Sequence, residues 1–147
     1  HLGIVKMLVE ANSDVNSHDN NGRTSLMRAA FLGQMPVVEY LVEKGANVNA
    51  RDSKGRTALM EAVLACKVDV IKFLLDHGAD INMQDNNGCT ALMRASYGGY
   101  VDLVLYLLDH GADKNIKDFQ GNLAIHYVRE HCFAELKDHL KQEGASK

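Results

Sequence analysis

Four glycines set the period of this chain. Gly22, Gly55, Gly88 and Gly121 stand 33 residues apart, and each follows an aspartate by three positions (Asp19, Asp52, Asp85 and Asp118). A unit repeated at fixed spacing is too short to bury its own apolar face. It must stack on its neighbours, and at least three copies are needed before the stack holds. Three full copies fit at 19–51, 52–84 and 85–117; the back half of another occupies 1–18, and an altered copy spans 118–147. The chain is therefore expected to be a single array over 1–147.

Within the unit that starts at Asp52, each stretch has a local physical reason. Asp52-Ser53-Lys54-Gly55 is turn chemistry: a side chain that bonds the backbone two residues on, then a glycine that tolerates positive φ. Thr57 stands where an N-cap belongs, ahead of Ala58–Ala65, which reads as a short helix. A break falls at Cys66-Lys67. A second helix over about Asp69 to His77 carries Val70, Ile71, Leu74 and Leu75 on its apolar face. Asp69 lies at its positive end and His77 at its negative end. Gly78 is the expected left-handed stop. The sibling units repeat these devices with Pro36 at the start of a second helix, Gly45 and Gly111 as stops, and Asn12 as a left-handed substitute for glycine.

The pattern DxxGxTALMxA followed by VxxLLxxGADxN resembles the ankyrin repeat, whose 33-residue period it shares. The likeness covers essentially the whole chain. It implies an all-α fold, an ankyrin-repeat solenoid of stacked antiparallel helix pairs with β-turn fingers projecting from it. Two departures stand out. Where the family has Thr-Pro-Leu-His, this chain has Met27, Met60 and Met93 in place of the histidine, and these are expected to pack as an apolar column. The last unit regains a histidine, His126, but has Leu123 where the capping threonine belongs, so its first helix should fray. Its second helix carries Lys137 and Lys141 where an earlier unit has Ile71 and Leu75. That polar face suits a terminal capping repeat, with Gln142–Lys147 as a solvated tail. At the other end the chain starts in mid-repeat.

No catalytic set emerges. His126 and His131 flank Glu130 without metal-binding spacing. His77 and His110 share one structural reason, the end of a helix. Ser25 and Ser96 have no base, and Gly98-Gly99 lacks the lysine and strand of a phosphate loop. Cys66, Cys89 and Cys132 are odd in number and point to free thiols in a reducing compartment, cytoplasmic or nuclear. Cys66 and Cys132 read as buried, and Cys89 as an exposed thiol on a turn tip with no activating neighbour. The reading is of no enzyme, no cofactor and no metal. With no run of 18 apolar residues, no membrane-spanning helix is expected. A net charge of −3 gives no bulk attraction to nucleic acid, and a chain of this kind is expected to be monomeric in isolation.

What the resemblance does imply is a protein partner on the concave face. Carried over position by position, that face comprises turn-tip residues Asn20, Asn21, Arg23, Ser53, Lys54, Arg56, Asn86, Asn87, Cys89, Phe119, Gln120 and Asn122. Beside them lie His18, Arg51, Gln84 and Lys117, then the first-helix residues Arg28, Glu61, Arg94, Tyr127, Phe31, Leu64, Tyr97 and Glu130. Phe31, Leu64 and Tyr97 are large groups where the repeat accepts polar ones, as binding anchors are. Seven of the positions are cationic (Arg23, Arg28, Arg51, Lys54, Arg56, Arg94, Lys117) against two acidic, in a chain whose net charge is negative. An acidic, partly apolar partner segment is the expected ligand. A non-enzymatic interaction scaffold is the leading function. A targeting or docking fragment of a larger multidomain enzyme, channel or effector is the alternative. The resemblance also raises asparaginyl hydroxylation at Asn49, Asn82 or Asn115; the plainer role for these side chains is to bond the turn backbone.

Overall fold

The computed structural model describes residues 2–10 and 14–141. The left-handed role expected of Asn12 and the tail Gln142–Lys147 lie outside the described residues. The chain divides into two compact units, His1–Asp80 and Ile81–Lys147. Both are helical, and the extended backbone pairing in the first is an isolated bridge between His18 and Thr24.

The first unit holds helices α1 (Leu2–Glu10), α2 (Ser25–Leu32), α3 (Met35–Glu43), α4 (Ala58–Leu64) and α5 (Val68–Asp76). Thr24 caps α2: its backbone is extended and its hydroxyl accepts the Met27 N–H at 3.3 Å. Thr57 does the same for α4 through Met60. Each such cap contributes about 1 kcal/mol. Helices α2 and α4 pack on one another, α3 and α5 pack on their partners α2 and α4, and α1 lies against α3. Leu26, Met27, Ala29 and Ala30 of α2 are buried, with Val37, Val38 and Leu41 of α3; Leu59, Met60, Ala62, Val63, Val70, Ile71 and Leu74 repeat that set one unit on. A buried side chain as large as leucine is worth about 1.5–3 kcal/mol relative to exposure. The small Ala29, Ala30 and Ala62 let the helices approach closely.

The second unit holds α6 (Ala91–Gly98), α7 (Val101–Asp109), a 3₁₀ turn (Ala124–Tyr127) and α8 (Glu130–Leu140). Its core is Leu92, Met93, Ala95, Leu103, Val104 and Leu107, closed by Leu123, Ala124, Cys132, Leu136 and Leu140. Lys137 and Lys141 are exposed. The first helix of the last repeat does fray, to a single 3₁₀ turn, and this moves Glu130 out of the first helix and into α8.

Met27, Met60 and Met93 are buried, and two of them do more than fill space. The Thr24 N–H donates to Met27 Sδ at 3.5 Å, and the Thr90 N–H donates to Met93 Sδ at 3.5 Å. At the same place in the last repeat, the Leu123 N–H donates to His126 Nδ1 at 2.8 Å. Thioether and imidazole thus satisfy the same backbone donor. His77 and His110 terminate α5 and α7. Their Nδ1 atoms lie 2.8 Å from the carbonyls of Phe73 and Tyr106, and their rings stack on those aromatics at 3.9 Å.

One register position departs from expectation. Gly33 (φ +71°) and Gly99 (φ +73°) close α2 and α6 in the left-handed region, and Cys66 fills the same place after α4 at φ +55°. Cys66 is half-buried rather than buried, because the left-handed corner it makes lies at the surface. Cys132 is buried within α8.

Candidate interaction surface

The four turns share one device. In each, one oxygen of the aspartate accepts two backbone N–H groups: Asn21 and Arg23 on Asp19, Lys54 and Arg56 on Asp52, Asn87 and Cys89 on Asp85, Gln120 and Asn122 on Asp118, all at 2.8–3.0 Å. Neighbouring turns are tied by the Ser53 N–H to Asn21 O (2.8 Å) and by the Phe119 N–H to Asn87 O (3.0 Å). Gly88 must be glycine on two counts. Its φ is +81°, and a β-carbon there would sit 2.6 Å from the Phe119 nitrogen. The asparagines serve the backbone too. Asn49 donates to Gly78 O and accepts the Asp80 N–H, and Asn82 does the same with Gly111 and Asp113.

The second oxygen of each aspartate decides which cations remain available. Asp19 Oδ2 takes Arg28 at 2.5 Å, and Asp85 Oδ2 takes Arg94 at 2.6 Å. Asp118 Oδ2 takes the Tyr127 hydroxyl. In each case the partner lies nine residues on. The repeat at 52–84 has Glu61 at that place, which would repel Asp52. Arg23 of the preceding repeat resolves this by reaching both Asp52 (3.0 Å) and Glu61 (2.5 Å). Glu61 is almost fully buried, so its charge requires this partner.

These pairs set the ionisation of the surface. Backbone N–H groups of Arg23 and Asn21, then Arg28, hold the Asp19 carboxyl below the usual carboxylate range. The Tyr127 hydroxyl, then the Asn122 N–H, do so for Asp118. Burial works against the Arg23 charge but is outweighed by Glu61 and Asp52, and its pKa is raised. Burial, then the Asp118 carboxylate and Cys89, push the Tyr127 phenol up.

The expected site residues therefore separate. Arg23, Arg28 and Arg94 are cationic but already paired, and Tyr127 is bonded to Asp118. Counting the four turn aspartates removes nearly all of the positive excess read from the sequence. Arg51 folds back, its Nε donating to Gly55 O at 3.3 Å, and Arg56 is half-buried with a buried Nε that makes no hydrogen bond. Cys89 is not a solitary turn-tip thiol; its sulfur lies 3.4 Å from the Tyr127 hydroxyl. Lys54, Asn86, Asn87 and Lys117 are exposed. So are the large groups: Phe31 at 42%, Leu64 at 44%, Tyr97 at 60% and Phe119 at 69%. Phe31 and Leu64 belong to the first unit, Tyr97 and Phe119 to the second. Ser96 is buried with its hydroxyl donating to Leu92 O.

The family model for ankyrin repeats matches the chain in three copies, over residues 1–85 and 50–118. The chain belongs to the ankyrin repeat family. Ankyrin repeats generally mediate protein–protein interactions and are typically non-enzymatic modules. No curated protein matches the chain. The matched span of this ankyrin chain stops at the turn of the last repeat, where Leu123 replaces threonine and the first helix shortens.

Sequence reasoning missed Arg129, whose guanidinium lies over the Tyr97 ring at 5.1 Å and whose Nε donates to Tyr97 O at 2.9 Å. The available signal was an arginine at a place where the three full repeats carry Ala30, Val63 and Ser96. Among the described residues, no three His, Cys, Asp or Glu side chains gather as a metal site, and no helix is long and apolar enough to cross a membrane. The Nδ1 of His126 is used by the Leu123 N–H, and the His131 side chain lies outside the described residues. A shallow, open depression in the second unit is lined by Asp102, Leu105, Tyr106, Leu108, Asp109 and His139.

Proposed function

We propose that this ankyrin-repeat chain is a non-enzymatic interaction scaffold that holds a protein partner through its turn tips and the exposed side of its first helices. The observation that carries this reading is the exposure of Phe31, Leu64 and Tyr97 at one register, each directly following a buried residue (Ala30, Val63 and Ser96). Large groups that keep this much of their surface exposed are the usual anchors of protein interfaces. The partner presents apolar groups together with acidic ones, because Lys54 and Lys117 stand exposed beside the turns. Three free cysteines favour a compartment that keeps thiols reduced.

Affinity capture followed by mass spectrometry tests this, with a Phe31→Ala/Tyr97→Ala chain as the control. Both positions are exposed, so the double variant should melt within a few degrees of the parent. Specific partners of the parent should be lost from the variant. Partners retained undiminished by a folded variant would refute the reading.

A further inference from the structure

The last repeat departs from the others at a position that its shortened first helix releases. Ala30, Val63 and Ser96 occupy one register in α2, α4 and α6, and all three are buried. The same register in the last repeat holds Arg129. In an intact first helix the guanidinium would be forced into the core. Here the 3₁₀ turn ends at Tyr127, and Val128 (φ −67°, ψ 129°) and Arg129 (φ −70°, ψ 149°) are extended. Arg129 is carried to the surface and settles on Tyr97.

Two contacts hold it. Its Nε donates to the Tyr97 carbonyl at 2.9 Å, and its guanidinium carbon lies 5.1 Å from the centre of the Tyr97 ring. The two terminal nitrogens bond to no described residue. Arg23, Arg28 and Arg94 each have a carboxylate partner within the fold; Arg129 has none among the described residues. A guanidinium anchored at one nitrogen loses little further freedom when it binds, and its fork matches a carboxylate. Tyr97, 60% exposed, offers apolar area beside that charge.

We propose that Arg129 and Tyr97 form a recognition site for a carboxylate on the partner, an aspartate or glutamate flanked by an apolar side chain. The site rests on the interaction-scaffold reading and gives it a specific residue pair. One guanidinium, with no second cation in contact among the described residues, matches a single negative charge. A cationic segment is repelled, and a purely apolar segment leaves the fork unbonded.

A random peptide display library selected on the full chain tests this, followed by affinity measurements on a synthesised peptide from the enriched set. The expected peptides carry Asp or Glu next to an apolar residue. Arg129→Gln should weaken binding about tenfold or more, the loss typical of a charge-assisted hydrogen bond. Changing the peptide's carboxylate to an amide should do the same. Arg129→Lys should restore part of the affinity, because it keeps the charge and loses the fork. Tyr97→Ala should also weaken binding, whereas Lys44→Gln on the first unit should not. Higher salt should weaken the parent more than Arg129→Gln. Peptides without acidic residues, or equal affinity in Arg129→Gln, would overturn the inference. Binders that respond to Phe31→Ala or Leu64→Ala but ignore Arg129→Gln overturn this site and leave the scaffold reading standing. A library that yields no binder counts against both.

Discussion

The repeats at 85–117 and 118–147 begin alike and then diverge. In both, the turn aspartate accepts two N–H groups on one oxygen, and a glycine follows at positive φ. The first helix then runs from Ala91 to Gly98 in one and stops after Ala124–Tyr127 in the other. The cause lies at the two ends. Thr90 bonds the Met93 N–H and Gly99 closes the helix at φ +73°, whereas Leu123 has no oxygen to offer and Val128 leaves in an extended conformation. A turn survives on one aspartate and one glycine. A helix this short needs a device at each end, since it has few internal hydrogen bonds to lose. The shortened helix in turn frees Arg129.

The aspartates differ as well: Asp85 is paired with a cation and Asp118 with a neutral hydroxyl. The largest effect should come from breaking the first pair. Arg94→Ala leaves Asp85 buried and unpaired, at a cost of about 3–5 kcal/mol, measurable by urea unfolding. Tyr127→Phe removes a hydrogen bond to a carboxylate and should cost about 1.5 kcal/mol. Equal losses in the two variants would mean that the charge of Arg94 contributes nothing beyond a hydrogen bond.

Acid sharpens the same contrast. Asp118 titrates below its ordinary 3.8 in the folded chain, chiefly because Tyr127 donates to it. A depressed carboxyl stabilises the fold fully above its unfolded pKa, and that contribution is lost as pH falls through the folded value. Stability should therefore decline on acidification below about pH 3.8. In Tyr127→Phe the Asp118 carboxyl should titrate closer to its ordinary value, which carbon NMR of the side chain can follow. An unmoved titration would show that the backbone N–H groups alone set it.

The smallest effect extends the comparison to the helix stop. Gly33 and Gly99 adopt the left-handed corner without cost, and Cys66 adopts it with a β-carbon. Cys66→Gly should stabilise the chain by about 1 kcal/mol, offset in part by the greater freedom of glycine in the unfolded state. A lower melting temperature in that variant would refute the strain.

Much of the fold was legible in the sequence because its instructions are local. A turn aspartate bonds residues two and four positions on, and a capping threonine bonds the third residue after it. Such contacts recur every 33 residues and can be read without knowing what lies across the structure. The exposure of Phe31, Leu64 and Tyr97 was legible for the same reason: each sits where the repeat makes no demand. Tertiary structure alone decided which charges are spoken for. Arg23 meets Asp52 from 29 residues away, and Arg129 meets Tyr97 from 32; neither pairing follows from spacing within a unit. An arginine in a repeat is a structural brace or a free cation according to whether a carboxylate's second oxygen lies in reach, and that is a property of packing.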